Sequence, residues 1–118
     1  MPTAPGIRVR IATDEDAETI VEFNEALALE SEGRKLNHEL VRDGVVLALK
    51  KTEACSYFVA EVKGQLVAQT MVTYEWSDWR CGDFWWIQSV YVHPDFRKRG
   101  IFKTIYQHIE ESFTDFAQ

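Results

Sequence analysis

The sequence predicts one α/β domain whose elements follow the order strand, helix, helix, strand, strand, strand, helix. The length of 118 residues suits one ordinary domain and is too short for two. Hydrophobic residues form 46% of the chain and aromatic residues 13%, which is enough apolar surface for a core and argues against general disorder. Apolar residues recur at helical spacing in some segments and alternate or run together in others, which assigns the helices and strands.

A strand and two helices are predicted for the first half of the chain. Residues 7–11 alternate apolar and charged side chains, which is typical of a half-buried strand. Thr13, followed by Asp16, favours a capped helix start, and this helix is expected to run to about Leu29. Apolar residues at helical spacing then predict a second helix over residues 38–50.

Three strands and a last helix are predicted for the second half. Residues 56–62 and 65–76 form two strands, because they are rich in aromatic and β-branched residues and a Lys-Gly pair between them suits a hairpin turn. Residues 84–92 are almost continuously apolar, which predicts a central strand buried on both faces. Pro94 ends that strand, and apolar residues spaced by four from Ile101 onward predict the final helix.

The charge of the chain is acidic overall and unevenly distributed. A formal net charge of −6 argues against generic nucleic-acid binding, which depends on a cationic surface. Residues 14–32 contain eight acids and no Lys or Arg, whereas residues 97–103 contain four cations and no acid. The first segment could attract cations and the second anions. Alternatively, both segments are ordinary solvated faces.

The sequence favours a cytoplasmic protein without a metal site. The sequence has no run of about 18 apolar residues, so it predicts no membrane span. The first residues lack the basic and apolar regions of a secretion signal. Cys55 and Cys81 are too few for a disulfide scaffold and have no metal-ligand spacing. We therefore expect a reducing compartment and no metal.

The segment over residues 90–102 carries the clearest chemical signal. An apolar strand stops at Pro94, a basic loop containing Gly100 follows, and a helix begins. The free N–H groups and dipole of a helix start attract anions, and a glycine lets backbone approach a phosphate closely. The loop also lacks the GxxxxGK[ST] and GxGxxG patterns of other phosphate sites. On physical grounds the segment is either an anion site or an ordinary basic turn.

This segment resembles the acetyl-coenzyme A (acetyl-CoA) signature of the GNAT N-acetyltransferase superfamily, in which a strand enters an [Arg/Gln]-x-x-Gly-x-[Gly/Ala] loop that opens a helix. Arg97 matches the first position of that signature and Gly100 the fourth. The order of elements upstream also agrees, so the resemblance extends from about residue 7 onward. It implies a single GNAT-type domain over residues 1–118, with a mixed, mostly antiparallel sheet flanked by helices.

The resemblance implies a binding mode for acetyl-CoA as the acyl donor. Strand backbone would pair with the pantetheine arm as an added strand would, and N–H groups of the loop would hold the pyrophosphate. A primary amine of a small molecule or peptide would attack the thioester, and the Val90 N–H would meet the developing oxyanion. The residues expected to bind the coenzyme are Val90, Tyr91, Val92, Arg97, Lys98, Arg99, Gly100, Ile101, Phe102 and Lys103.

Several departures from the family pattern bear on activity. Phe102 stands where the signature usually has Gly or Ala, so its ring either narrows the phosphate site or turns into the core. Gln88 stands where relatives often carry a Glu base, and Gln cannot take a proton. Glu75 is then the candidate base, through a water, unless the amine arrives neutral. Relatives also continue with a further strand, helix and hairpin, so we expect a truncated form or one completed by a partner chain.

Other residues are candidates for contact with the acceptor. Trp76 and Trp79 flank a turn. There they either contact a cationic amine through a cation–π interaction of about 0.5–2 kcal/mol or fold over the edge of the core. Glu25 and Glu30 form either an acidic rim that favours an amine or plain surface. Two rival functions remain. One is an inactive module that senses acyl-CoA. The other is an interaction domain that exposes the edge of its last strand and forms a homodimer in which strands or helices meet.

Overall fold

The computed structural model describes residues 6–51 and 53–116, with side chains described up to residue 112. The expectation about a secretion signal falls on residues 1–5, outside the described residues. The helices and strands are β1 (Arg8–Ile11), α1 (Ala17–Glu32), α2 (His38–Lys50), β2 (Cys55–Val62), β3 (Gln65–Ser77), β4 (Gly82–Val92) and α3 (Ile101–Phe116). This is the predicted order.

The strands form one antiparallel sheet in the order β1-β2-β3-β4. Val59 of β2 pairs with Gln69 of β3, and Thr73 of β3 pairs with Trp86 of β4. The hairpin turn predicted between β2 and β3 is confirmed, because Lys63 and Gly64 have φ angles of 54° and 80°. Two consecutive positive φ angles give the turn the twist that the two strands require.

The core has one layer on each face of the sheet. Ile105 and Ile109 of α3 pack on one face with Val72. On the other face, Ile20 of α1 and Val45 of α2 are buried with strand residues. The apolar residues of α1 and of α3 recur at helical spacing and form a stripe along each helix. Each helix is therefore oriented with its apolar stripe against the sheet.

The prediction that β4 is a central strand buried on both faces is wrong. Among the described strands β4 pairs only with β3 and forms an edge of the sheet. Trp85 and Ile87 pack on the α3 side, whereas Phe84 and Trp86 on the opposite face are 38% and 53% exposed. The continuous apolar run of β4 thus reflects large aromatic residues on a face that α1 and α2 leave partly open.

The start of α1 is tied to the sheet by a charged cluster. The Asp16 carboxylate accepts hydrogen bonds from the Thr13 N–H at 2.7 Å and from the Arg10 guanidinium at 2.8 and 3.0 Å. These bonds lower the pKa of Asp16. A short 3₁₀ turn precedes the helix, which runs past the predicted end to Glu32. Gly33, with φ 62°, ends it by donating to the Leu29 carbonyl at 3.0 Å.

Candidate active site

A β-bulge interrupts the pairing of β4 with β3 near the C-terminal end of β4. Gln69 pairs with Tyr91, but Met71 pairs with Gln88, so β4 carries one residue more than β3 at this point. Ser89 lies within the bulge and has a φ angle of 53°. A bulge bends a strand and redirects its backbone groups, and bulges are common next to active sites.

Two consecutive side chains of β3 hold the bulge. Gln69 Nε2 donates to the Ser89 carbonyl at 2.8 Å, and Thr70 Oγ1 donates to the Gln88 carbonyl at 2.8 Å. Gln69 and Thr70 are both fully buried. The carbonyls on either side of Ser89 therefore have fixed directions.

A cleft runs between α1 and the bulged part of β4. It comprises two depressions of about 520 and 420 Å³, which share Leu27, Ser31 and Val90 in their walls. The first is also bounded by Asn24 of α1 and extends toward α2, and the second extends toward Arg97 in the loop after β4. The predicted oxyanion donor, Val90, thus lies where the two depressions meet.

A charged cluster closes the end of the cleft near the loop. Arg97 Nη2 lies 2.7 Å from Glu30 Oε1, and the Tyr91 hydroxyl donates to Glu30 Oε2 at 2.9 Å. The Arg97 guanidinium, and after it the Tyr91 hydroxyl, lower the pKa of Glu30. Burial, followed by the bond to Glu30, raises the pKa of Tyr91. Arg97 Nε also donates to the Val92 carbonyl at 2.8 Å, so its side chain points into the cleft.

The predicted acidic rim is not a single surface. Glu30 is bound to Arg97 and Tyr91, whereas Glu25 Oε2 lies 3.0 Å from His38 Nδ1 at the start of α2. Each carboxylate therefore already has a partner within the chain. The structure brings Glu30 into the cleft wall and leaves Glu25 outside the residues that line it.

The loop between β4 and α3 has an open anion-binding geometry. Gly100 has a φ angle of 75°, and apart from its two neighbours in sequence no described residue has an atom within 4 Å of the position where its Cβ would stand. The bond from the Thr104 N–H to the Gly100 carbonyl, at 3.0 Å, begins the helix. The N–H groups of residues 101–103 precede that bond and have no acceptor within the helix. Within the described part of the chain, no carboxylate forms a salt bridge with Lys98, Arg99 or Lys103.

Phe102 and Ile101 differ in how they meet this loop. The Phe102 ring lies 6.2 Å from the Tyr106 ring, along α3, and it does not belong to the buried core clusters, contrary to one of the two expected placements. Ile101 is buried beneath the loop at 3% exposure. Only the main chain of Ile101 can therefore face a ligand.

The predicted catalytic side chains lie on one sheet face but are spread along it. Gln88 Nε2 donates to Thr73 Oγ1 at 2.6 Å, and Glu75 Oε1 accepts from Trp86 Nε1 at 2.9 Å. Glu75 pairs with Phe84 across the hairpin, and Gln88 pairs with Met71. Glu75 therefore lies four residues along β3 from Met71, the partner of Gln88, which corresponds to about 13 Å. The structure does not bring Glu75 to the cleft.

The two candidate acceptor tryptophans lie at the far end of the β3–β4 hairpin. Trp76 is 63% exposed and Trp79 is 95% exposed, so neither folds over the edge of the core as one alternative required. Trp76 stands six residues beyond Thr70 on β3, which corresponds to about 20 Å. The cleft and these two rings are therefore separate features.

The polar residues beneath and beside the bulge are not among the site residues that the sequence predicted. Asn24 sits within the apolar stripe of α1, and the adjacent pair Gln69 and Thr70 interrupts an otherwise apolar stretch of β3. A buried polar residue needs a hydrogen-bond partner, so these interruptions were the signal available in the sequence. The described residues contain no group of three or more His, Cys, Asp or Glu that could hold a metal ion. None of the described helices is both long and apolar enough to cross a membrane.

Comparisons with known proteins agree with this architecture. The family model described as "Acetyltransferase (GNAT) family" matches residues 17–117. The crystal structure of a possible acetyltransferase from Clostridium difficile 630 is 44% identical and superposes with a TM-score of 0.86, over 89% of this chain and 69% of that one. No curated protein sequence matches the chain.

Two more distant structures share the fold. One is a ribosomal-protein-alanine N-acetyltransferase from Brucella melitensis biovar Abortus 2308, at 16% identity and a TM-score of 0.77, over 93% of this chain and 73% of that one. The other is a predicted acetyltransferase with acetyl-CoA from Clostridium acetobutylicum, at 17% identity and a TM-score of 0.72, over 92% of this chain and 74% of that one. On the family match and the 44% identity, the chain belongs to the GNAT acetyltransferase family.

Proposed function

We propose that the chain transfers an acetyl group from acetyl-CoA to a primary amine of a small molecule or peptide. The observation that carries the proposal is that bulged β4 leads directly into a basic loop and an open helix start, beside a cleft. In the reaction the amine nitrogen bonds to the acetyl carbon and the C–S bond breaks. The nitrogen loses a proton and the coenzyme thiolate gains one.

The coenzyme would lie along β4 and over the loop. Because β4 is a sheet edge among the described strands, its backbone between Val90 and Val92, including Tyr91, would pair with the pantetheine amides. The Val92 carbonyl would share its second lone pair, since it already accepts from Arg97 Nε at 2.8 Å. The pyrophosphate would accept from N–H groups between Arg97 and Lys103. The Arg97 side chain is engaged with Glu30, which supports a main-chain role for Arg97 at the phosphate. Its N–H would then exchange the long bond to the Pro94 carbonyl, at 3.4 Å, for a bond to the pyrophosphate.

The Lys98, Arg99 and Lys103 side chains would supply positive charge around the pyrophosphate. Gly100 would allow close approach of the phosphate, and Ile101 and Phe102 would contribute their N–H groups. These assignments are supported by the open space at Gly100 and by the absence of salt bridges to the three cations in the part of the chain described.

The Val90 N–H would stabilise the negative charge that develops on the thioester oxygen. Preorganised backbone donors of this kind are a major source of rate acceleration in acyl transfer. The proposal is supported by the bulge, which leaves Val90 without a direct partner residue in β3, and by the position of Val90 between the two depressions of the cleft.

The acceptor amine would react in its neutral form, without a side-chain base. A general base must be within hydrogen-bond reach of the proton, directly or through one water. Glu75 is about 13 Å along β3 from the level of Gln88, which exceeds that reach. Gln88 would act only as a hydrogen-bonding group, through its contact with Thr73.

The cleft would hold the acceptor, with its apolar part against Leu27 and its amine near the polar wall at Asn24 and Ser31. The acidic helix α1 would attract a cationic amine before it loses its proton. Trp76 and Trp79 would contact only an extended acceptor such as a peptide, because they lie at the hairpin tip. A cytoplasmic location remains a prediction from the cysteine content.

Release of free thiol from acetyl-CoA tests the activity. The assay compares a panel of primary amines and peptides with the same compounds already acetylated, and mass spectrometry identifies the acetylated product. We expect thiol release that requires a free amine. Thiol release equal to that with the blocked compounds contradicts the proposal.

The absence of a base at Gln88 favours one second candidate, an inactive acyl-CoA sensor of the same fold. Acetyl-CoA binding without amine-dependent thiol release would support that sensor. The homodimer expected from the exposed β4 edge is tested separately by sedimentation, where a monomer at all concentrations contradicts it.

A further inference from the structure

A chain of buried hydrogen bonds connects the wall of the cleft with the bulge of β4. Gln69 Nε2 donates both to Asn24 Oδ1, at 3.0 Å, and to the Ser89 carbonyl, at 2.8 Å. The chain therefore spans α1, β3 and β4.

The orientation of the Gln69 amide is fixed by its partners. The Ser89 carbonyl can only accept, so the Gln69 nitrogen must face it. Gln69 Oε1 is then left buried with no hydrogen-bond partner among the described residues. An apolar residue here would remove this unsatisfied oxygen, but it would leave the Ser89 carbonyl and Asn24 Oδ1 without their donor. The amide is thus explained by the two bonds that its nitrogen makes.

Fixing the Ser89 carbonyl also fixes the Val90 N–H. The two groups belong to one trans, planar peptide unit, in which C=O and N–H point in opposite directions. Because Gln69 of β3 holds the carbonyl, the Val90 N–H points away from Gln69. Thr70 holds the Gln88 carbonyl in the same manner and so fixes the direction of the Ser89 N–H.

We propose that Gln69 is a positioning residue that aims the Val90 N–H at the thioester oxygen, and that Thr70 supports it through the preceding peptide unit. The inference rests on the proposed acetyl transfer. It adds a role for two buried side chains that do not touch either substrate. Asn24 lines the cleft and accepts a hydrogen bond from the same Gln69 nitrogen, so this bond connects α1 with the peptide unit of Ser89 and Val90.

The role predicts a change in turnover rather than in coenzyme binding. Gln69→Leu removes the donor, and we expect kcat to fall about 10- to 100-fold, because small misplacements of a preorganised donor are costly. Thr70→Val removes a hydroxyl at nearly constant shape, and kcat should fall about 3- to 10-fold. Thr70→Ser keeps the hydroxyl and should restore most of the rate. The KM for acetyl-CoA should change less than about threefold, since the loop binds the phosphates.

Ser56→Ala is the matched control. Ser56 Oγ lies 2.8 Å from the Tyr74 hydroxyl, so this variant also removes a hydrogen bond between neighbouring strands, but far from the bulge. We expect wild-type kcat for this control. If the wild type is active and kcat is unchanged in Gln69→Leu and Thr70→Val, the inference is overturned and the proposed function stands. An inactive wild type overturns the proposed function, and the inference with it.

Amide NMR gives a readout that does not depend on turnover. In the wild type, exchanging coenzyme A for acetyl-CoA should move the Val90 amide proton downfield, because the acetyl oxygen is then present to accept its hydrogen bond. In Gln69→Leu that shift should be lost while the shifts at residues 100–103 remain. The same Val90 shift in both proteins contradicts the role of Gln69. Retained shifts at the loop also show that the variant is folded.

Discussion

Replacing Gly100 with alanine separates the conformation of the loop from its contact with the coenzyme. Gly100 has a φ angle of 75°, where an alanine costs about 1–2 kcal/mol. Apart from the two neighbours in sequence, no described residue has an atom within 4 Å of the added Cβ, so the φ angle accounts for the intramolecular cost. We expect the melting temperature of Gly100→Ala to fall by about 4–10 °C.

Coenzyme binding should suffer in addition to stability. The added methyl group would occupy the space through which the pyrophosphate approaches the helix start. Loss of one hydrogen bond to a charged group costs about 1.5–3 kcal/mol, which corresponds to a roughly 10- to 150-fold weaker affinity. Equilibrium dialysis with acetyl-CoA measures this change.

Gly64→Ala is the control for backbone strain. Gly64 has a φ angle of 80° and also has no described atom within 4 Å of an added Cβ, but it lies in the turn between β2 and β3. It should lose similar stability and keep the wild-type affinity. Equal affinity of the Gly100 and Gly64 variants would refute the assignment of the pyrophosphate to this loop.

Three further predictions concern charged side chains. Asp16→Asn should lower the free energy of unfolding by about 1–3 kcal/mol in urea at pH 7. The pKa of Asp16 is lower in the folded than in the unfolded state, so this difference should be present above about pH 4 and vanish as the pH falls through the folded-state pKa. Equal urea midpoints at pH 7 would contradict this prediction. Glu75→Gln should leave the midpoint of the pH–rate profile unchanged, because the pKa of the amine sets it, and a shifted midpoint would identify Glu75 as the base. Lys103→Gln should weaken acetyl-CoA binding about 3- to 10-fold and reduce its salt dependence. Arg97→Gln removes a side chain already paired with Glu30, so it should change the affinity less than about threefold in the same titrations. The reverse ranking would contradict the main-chain role of Arg97.

The order of elements could be predicted because its signals are local. The turn at Lys63 and Gly64 is specified by two adjacent residues, and the stripe of α3 by side chains within a few turns of one another. The loop that begins at Arg97 could be recognised because its motif is continuous in the sequence. Such features require no knowledge of distant partners.

The place of β4 and the geometry of the bulge could not be predicted in the same way. Whether a strand is central depends on which other strands pair with it, and an apolar run such as residues 84–92 is compatible with either position. The distance of Glu75 from the cleft follows from the strand register, which only the pairing of Met71 with Gln88 reveals. Long-range pairing also determines which carbonyl the Gln69 amide meets.

Calorimetric titration of the wild-type chain with acetyl-CoA asks whether the loop after β4 binds the coenzyme. We expect saturable binding with one site per chain, competition by coenzyme A, and an affinity that falls as salt concentration rises because the pyrophosphate lies among cations. No saturable binding, or binding that coenzyme A does not displace, would contradict the assignment of the coenzyme to this loop.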